Sequence, residues 1–191
     1  MDKRTFLIVG ASAATVSLLG TGCSTTGSTP TDPAARRQSI DGNVDRALSN
    51  LDRQVAGSSD LVKAARGVLV FPSVVSAGFL VGGAAGEGAL REAGKTTGYY
   101  RTTSLSAGLL AGAQSTSLIY LFMTQEALTK FKNSNGWQVG ADAGVTLATV
   151  GANARVDSRS AQQPIVAFVL SNAGLMANLS LDGSRVTRLD L

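Results

Sequence analysis

The chain has 191 residues, enough for one domain with a sizeable apolar core. Its 17 Lys and Arg residues and 13 Asp and Glu residues give a formal net charge of +4, but the signs alternate instead of forming the dense basic block of a nucleic-acid-binding arm. The chain has no histidine and one cysteine, which excludes Ser-His-Asp sites, histidine-ligated zinc, thiolate clusters and intramolecular disulfides.

The N-terminal segment has the layout of an export signal. The sequence MDKRTFLIVGASAATVSLLGTGC begins with Lys3 and Arg4, continues with a small-residue-rich apolar run from Phe6 to Leu19, and reaches Cys23. The run is too short for a membrane-spanning helix. It resembles a bacterial lipoprotein signal, which implies cleavage before Cys23 and lipidation of that cysteine. The alternative is an ordinary secreted protein with a free thiol.

A flexible tether is predicted after the cysteine. The sequence STTGSTPTDPAA, residues 24–35, is rich in Ser, Thr and Pro and carries no large apolar residue. We therefore predict a signal peptide over residues 1–22, a tether over 23–35 and one domain over 36–191. By analogy with lipoprotein sorting, Ser24 in place of aspartate favours the outer membrane, with the domain facing the periplasm.

Two helices are predicted before the first strand. Between residues 41 and 55 the apolar residues recur at the spacing of an amphipathic helix. They are Val44, Leu48, Leu51 and Val55. Ser58 or Ser59 is expected to cap a second, shorter helix, which Gly67 would end.

Short apolar or alternating runs with frequent glycines follow Gly67 and predict strands. One short helix interrupts them at Thr124–Asn133, with Thr124 as its cap. Glycine inside strands marks strong coiling, a bulge or a close backbone approach. A weak repeat ending in Ala-Gly recurs at Gly78, Gly108, Gly144 and Gly174. We therefore expect an α+β fold: a strongly curved, glycine-rich antiparallel β-sheet or small β-barrel, with N-terminal helices and one inserted short helix.

The sequence ALREAGKT, residues 89–96, matches a loose P-loop pattern. A P-loop leads into a helix whose N-terminal amides hold phosphates. Here the next residues are TGYYRTT, which are β-branched and aromatic. We therefore predict a strand, a turn at Glu92–Lys95 and a returning strand, and we expect no nucleotide partner.

Three stretches carry a family resemblance. They are AARGVLVFPSVVSAGFLVGGAAGEGALREAGKTTGYY, SLSAGLLAGAQ and GWQVGADAG. Together they resemble the SYLF family, also called the Ysc84 actin-binding domain family, over residues 40–191. The resemblance implies a glycine-rich curved sheet with packed helices, and it implies phospholipid binding. Yeast relatives bind and bundle actin, which is not expected in a bacterial envelope, and bacterial members are commonly lipoproteins.

The leading hypothesis is a membrane-anchored lipoprotein whose domain binds anionic phospholipids, so the expected partner is a phospholipid membrane. Basic residues near an anionic surface each contribute roughly 1 kcal/mol. The candidate contacts are Arg36, Arg37, Arg91, Lys95 and Arg101. Each is also explained as an ordinary solubilising charge at a turn or a strand edge.

Two other hypotheses remain open. A structural envelope protein could bind a protein partner through a sheet edge or through Tyr99, Tyr100 and Trp137, although these aromatic residues are better explained as core. An enzyme could pair the carboxylates of Glu87 and Asp142. Because the chain lacks histidine and a metal-binding cluster, we expect no catalysis, no cofactor and no metal site.

Overall fold

The computed structural model describes part of the chain. The described residues are 32–79, 81–107, 112–139, 145–147, 162–171, 174–175 and 183–191. The predicted signal peptide, Cys23, most of the predicted tether and the repeat glycines at 108 and 144 lie outside them. The described residues form an α+β fold with a curled, mainly antiparallel sheet, which confirms the predicted fold class.

Helices and strands follow one another in the predicted order. The helices are α1 (Pro33–Gln54), α2 (Ser58–Ala64) and α3 (Gln125–Asn133). The strands are β1 (Gly67–Phe79), β2 (Val81–Glu92), β3 (Lys95–Ala107), β4 (Gly112–Phe122), β5 (Trp137–Gln138), β6 (Thr146–Leu147), β7 (Ile165–Ser171), β8 (Gly174–Leu175) and β9 (Arg185–Leu189). Their hydrogen-bonded order is β5-β9-β3-β2-β1-β4-β7-β6, with β8 also paired to β7. Only the β6–β7 pair is parallel among these described strands.

Helix α1 begins earlier than the apolar pattern indicated. Its start is set by Asp32, whose carboxylate accepts hydrogen bonds from the backbone N–H groups of Ala34 and Ala35, and by Pro33 in the first turn. Residues 33–35, assigned to the tether from composition, are therefore helical. The predicted apolar stripe is confirmed, since Val44 and Leu51 are fully buried. None of the described helices is long and apolar enough to cross a membrane.

The capping predictions had different outcomes at α2 and α3. At α2 the prediction was wrong, because the cap is Gly57, with φ 87°, and no side chain caps the helix. The buried Ser58 hydroxyl instead donates to the Leu51 carbonyl oxygen at 3.2 Å, which ties α2 to α1. At α3 the prediction is confirmed, because Thr124 Oγ1 accepts from the Ala127 N–H at 3.2 Å.

The stretch that resembles a P-loop is the tip of a hairpin. Strand β2 ends at Glu92 and β3 starts at Lys95, with Ala93 and Gly94 between them at φ 48° and 78°. Two central residues with positive φ are typical of a type I′ turn, whose twist matches the flanking strands. The predicted strand, turn and returning strand are confirmed.

The sheet buries apolar side chains on both faces. On one face α1 packs against residues such as Val70, Ile119 and Phe168. On the opposite face α3 and Trp137 pack with residues such as Tyr120. Because both faces are covered, β7 is buried from end to end apart from its last residue.

The core assignment of two aromatic residues is confirmed. Trp137 is 2% exposed and Tyr100 is 6% exposed, and both belong to the core on the α3 face. Neither is part of an exposed surface that a partner could contact. Tyr99 faces the other side of the sheet, where it is partly buried against the α1 core.

Two glycines in β2 allow a close approach to β1. A Cβ atom at Gly88 would lie 1.9 Å from the Val70 carbonyl oxygen, and one at Gly86 would lie 2.6 Å from the Ser73 carbonyl oxygen. The register of β1 shifts between Val70 and Ser73, so these glycines face an irregular part of that strand. Of the three explanations considered for strand glycines, which were strong coiling, a bulge and a close backbone approach, the close approach applies at positions 86 and 88.

We expect Gly88→Ala to destabilise the domain by about 3 kcal/mol or more, because its methyl group would overlap the β1 backbone. Gly83→Ala is the matched control in the same strand, since a Cβ there would lie 3.6 Å from the Ser104 carbonyl oxygen, an ordinary contact. Urea unfolding measures both variants. Equal unfolding midpoints for the two would contradict the proposed close approach.

Candidate lipid-binding groove

An exposed row of residues crosses the sheet on the face that α1 covers. It takes one residue from each of six strands at successive paired positions. In order of strand pairing they are Ser115, Val75, Ala85, Thr103, Arg185 and Gln138. All six are exposed. We call this set the exposed row. Val75, at 51%, is the one large apolar side chain that is exposed in the described part of the chain.

The exposed row lies just beyond the N-terminus of α1. Along the helix, Asp45 contacts Arg91 and Arg36 contacts Glu87, so α1 runs beside β2 and its N-terminus lies toward the lower-numbered residues of that strand. Ala85 precedes Glu87 by two residues in β2 and therefore faces the same side of the sheet. The helix begins at Pro33, so it leaves this next position of the sheet uncovered.

A groove of about 540 Å³ lies along the exposed row. Its walls include Val75, Ala85, Gly83 and Thr103, with Arg185 as its charged residue. A volume of several hundred Å³, a mainly apolar lining and a few polar groups are typical of small-ligand sites. The groove therefore suits a ligand with an apolar part and an anionic part.

Arg185 occupies space that a glycine leaves free. A Cβ atom at Gly136 would lie 2.7 Å from Arg185 Nη2, and Gly136 has φ 131°, which L side chains rarely adopt. No carboxylate in the described residues forms an ion pair with Arg185. Sequence reasoning did not select this arginine. Only its pairing with Thr103 across β3 and β9 places it on the groove.

Two of the five predicted lipid contacts, Arg36 and Arg101, converge on Glu87. Arg36 Nε donates to Glu87 Oε2 at 3.0 Å, and Arg36 Nη2 donates to Oε1. Arg101 Nη2 donates to the same Oε1 at 2.7 Å. The hydrogen bond from Arg36 is the main cause that lowers the pKa of Glu87, while partial burial opposes it and Arg101 adds to it. We call these three residues the Glu87 cluster.

A third predicted contact, Arg91, holds α1 on the hairpin of β2 and β3. Arg91 Nη1 lies 2.6 Å from Asp45 Oδ1, and Arg91 Nη2 donates to the Asp41 carbonyl oxygen at 3.3 Å. The Asp41 carboxylate also accepts from Thr96 Oγ1 at 2.7 Å and from the Tyr99 hydroxyl at 2.9 Å. Burial is the main cause that raises the pKa of Tyr99 to about 12, and the hydrogen bond from its hydroxyl to Asp41 adds to this effect. These contacts give Arg91 a structural role.

The two remaining predicted contacts, Lys95 and Arg37, are not among the residues that line the groove. Lys95 is exposed at the start of β3, directly after the hairpin turn. Arg37 is partly buried in the first turns of α1, where its charge acts against the raised pKa of Tyr99. The structure thus brings Arg36 and Arg101 together at Glu87, whereas Arg91 pairs with Asp41 and Asp45.

Of the two carboxylates considered for catalysis, the structure describes only Glu87. Glu87 is engaged by two arginines, and Asp142 lies outside the described residues. Within the described ranges no group of three or more His, Cys, Asp or Glu residues could hold a metal ion.

We expect Glu87→Gln to lower the free energy of unfolding by about 1–2 kcal/mol at neutral pH, because it removes a charged, partly exposed contact to α1. The pKa of Glu87 is lower in the folded protein, so its contribution is present above the ordinary value of 4.5. It is lost as the pH falls through the folded pKa. Urea unfolding at a series of pH values should therefore show the wild type and the variant converging in acid.

The control for this variant is Glu126→Gln, which removes the same charge from an exposed pair with Lys130 on α3. It should change stability little at any pH. A difference between wild type and Glu87→Gln that stayed constant down to strongly acidic pH would contradict the assignment.

Comparison with known proteins supports the sequence resemblance over part of the chain. Residues 103–190 match the family model Ysc84, described as Las17-binding protein actin regulator. The matched part runs from within β3 to the end of β9, so it includes Thr103 and Arg185 of the groove but not α1. A search of curated proteins found no match. Over residues 103–190 this chain is therefore similar to the Ysc84, or SYLF, domain family.

Proposed function

We propose that the domain binds anionic phospholipids and performs no catalytic step. It would do so as a lipoprotein anchored through Cys23 in the outer membrane, with the domain facing the periplasm. One observation carries the proposal: the groove along the exposed row combines an apolar floor with an arginine that has no acidic partner among the described residues. A phospholipid combines the two matching parts, an acyl chain and a phosphate.

The apolar part of the groove suits an acyl chain. Val75, Ala85 and Gly83 line it with small or aliphatic groups. Each methylene that moves from water into such a site contributes about 0.8 kcal/mol. Even a short segment of an acyl chain would therefore add several kcal/mol to binding.

The charged part suits a phosphate. Arg185 pairs directly with Thr103, and Arg101 lies two residues along β3 on the same face, so the two arginines are diagonal neighbours. The Arg101 side chain is 46% exposed. Guanidinium groups bind phosphate oxygens through paired hydrogen bonds, which gives both strength and orientation.

The entry point of the chain supports the same orientation. The chain enters α1 at Asp32, at the helix end that leaves the exposed row uncovered. If Cys23 carries a lipid, eight residues separate it from Asp32. A flexible linker of that length spans roughly 15 Å. The anchor would therefore hold the groove end of the domain close to the bilayer.

Catalysis finds little support in the groove. The chain has no histidine, and the carboxylate beside the groove, Glu87, is hydrogen-bonded to two arginines that keep it ionised. A general base or acid would need a pKa nearer to neutral pH. We therefore assign binding alone to the groove.

A second candidate is binding of a protein partner in the envelope. It is favoured by the description of the matched family, which names Las17 binding and actin regulation. An exposed row that crosses six strands could also contact a protein. The vesicle experiment below separates the two candidates.

The test is flotation of the mature chain, carrying Cys23→Ser so that it has no lipid, with vesicles of phosphatidylglycerol or phosphatidylcholine at low and high salt. We expect flotation with phosphatidylglycerol that weakens in high salt. Arg185→Glu should weaken it by about tenfold or more, since each charge near an anionic surface contributes roughly 1 kcal/mol. Flotation with neither vesicle would favour the protein-binding candidate.

Arg188→Glu is the matched control for charge. It changes the same net charge on the same strand, but Arg188 pairs with Tyr100, whose side chain belongs to the α3-side core, so it faces away from the groove. It should weaken flotation less than Arg185→Glu. Equal effects of the two variants would assign the binding to net charge and not to the groove.

We expect Ala85→Phe to block acyl-chain uptake, because the ring would fill the groove floor. Phosphatidylglycerol with a fluorescent acyl chain would report the loss as a lower emission change on mixing. The control is Ala64→Phe, at a position that is exposed on α2; that helix contacts the C-terminal part of α1, whereas the groove lies beyond the N-terminus of α1. Unchanged uptake by Ala85→Phe would show that no acyl chain enters this groove.

A further inference from the structure

The Glu87 carboxylate lies between two arginines in the way that a bound phosphate would. Three hydrogen bonds join it to Arg36 and Arg101, with Oε1 shared by both guanidinium groups. The side chains of Arg36 and Glu87 are both 23% exposed, so the cluster is accessible to solvent. Carboxylate and phosphate oxygens use the same planar donor arrangement of arginine.

The Glu87 cluster has a net positive charge and more N–H donors than Glu87 uses. Two arginines and one glutamate carry a net charge of +1. Each guanidinium has five N–H donors, and Glu87 accepts from two groups of Arg36 and one of Arg101. A ligand oxyanion would therefore find more donors here than the glutamate uses.

The cluster is adjacent to the groove. Glu87 and Arg101 are directly paired across β2 and β3, and Ala85 and Thr103 form the next pair on the same face. Arg185 pairs with Thr103 from the other side. A ligand that lies along the exposed row with its phosphate near Arg101 would therefore meet the Glu87 carboxylate on the same guanidinium group.

We propose that Glu87 is an internal competitor of the lipid phosphate, a role that rests on the proposed phospholipid binding. In the free protein Glu87 occupies Arg36 and Arg101. In the complex the phosphate takes over Arg101 and part of the Arg36 donors. This exchange lowers the affinity for every phosphate surface by the same factor, so that binding needs a surface rich in anionic lipid.

Replacement of Glu87 by the phosphate also affects the start of α1, because Arg36 belongs to that helix. When the phosphate replaces Glu87, the first turn of α1 loses the contact of Arg36 with β2, while Ile40 and Asp41 keep their own contacts. The later part of the helix keeps its own contacts, the ion pair of Asp45 with Arg91 and the buried Val44 and Leu51. Head-group binding would thus loosen the part of α1 that the chain enters from the predicted tether.

A purely structural role for Glu87 leads to a different expectation. If Glu87 only fastens α1, its removal should leave vesicle binding unchanged or weaken it. If it competes with the phosphate, its removal should strengthen binding. The two roles therefore predict opposite signs.

The test compares Glu87→Gln with wild type in the mature Cys23→Ser chain, using phosphatidylglycerol vesicles. We expect binding about fivefold tighter or more for Glu87→Gln. The matched control is Glu92→Gln, which removes the same charge at similar exposure but from a contact with Lys132 on the α3 side. It should strengthen binding clearly less.

A second measurement uses wild type alone, so it does not depend on the variant folding. Amide hydrogen exchange over residues 34–40 should become faster when phosphatidylglycerol vesicles bind, while exchange over residues 44–54 stays unchanged. The competitor role would be overturned if the wild type binds, Glu87→Gln binds no more tightly than Glu92→Gln, and exchange at residues 34–40 is unchanged. Phospholipid binding would still stand in that case. No wild-type binding at any salt concentration would overturn both.

Discussion

The burial of the central strands on both faces is the constraint on which the rest of the structure depends. Strand β7 lies between the α1 core and the core of α3 and Trp137, so its side chains are apolar on both faces. On one face the covering element is α1, so the residue at which α1 begins decides where the sheet becomes exposed. Asp32 caps the helix so that it starts at Pro33, and the sheet beyond it carries the exposed row and the groove.

The two halves of α1 are held by different interactions. The later half buries Val44, Ala47 and Leu51, and full burial of a Val or Leu side chain contributes about 1.5–3 kcal/mol. The first half buries one apolar side chain, Ile40, and otherwise depends on Arg36 and Asp41. The ion pairs and hydrogen bonds of these two residues are partly exposed and are individually worth about 1 kcal/mol or less. Local opening is therefore easier at the helix start than at its end. A ligand beside the groove can change this part of the helix without disturbing the core.

Several local features could be predicted because nearby residues decide them. The β-branched and aromatic residues after Lys95 indicated a returning strand, and Thr124 indicated the start of α3. Two predictions were wrong because composition does not show which residues cap a helix or which hydrogen bonds they form. Asp32 and Pro33 look like linker residues but start α1, and Ser58 hydrogen-bonds to α1 while Gly57 takes the cap position.

The candidate site was only partly predictable. Arg36 and Arg101 were selected for their charge, but Glu87 was considered as a catalytic carboxylate and Arg185 was not considered. Arg36 is 51 residues from Glu87, and Arg101 is 14 residues from it. The sequence by itself determined the excluded chemistries, the hairpin, the apolar stripe of α1 and the fold class, because composition and short-range patterns govern them. Only the tertiary structure decided that Arg36, Glu87 and Arg101 meet and that Arg185 faces the groove, because strand register and the placement of α1 follow from the burial of residues far apart in the chain.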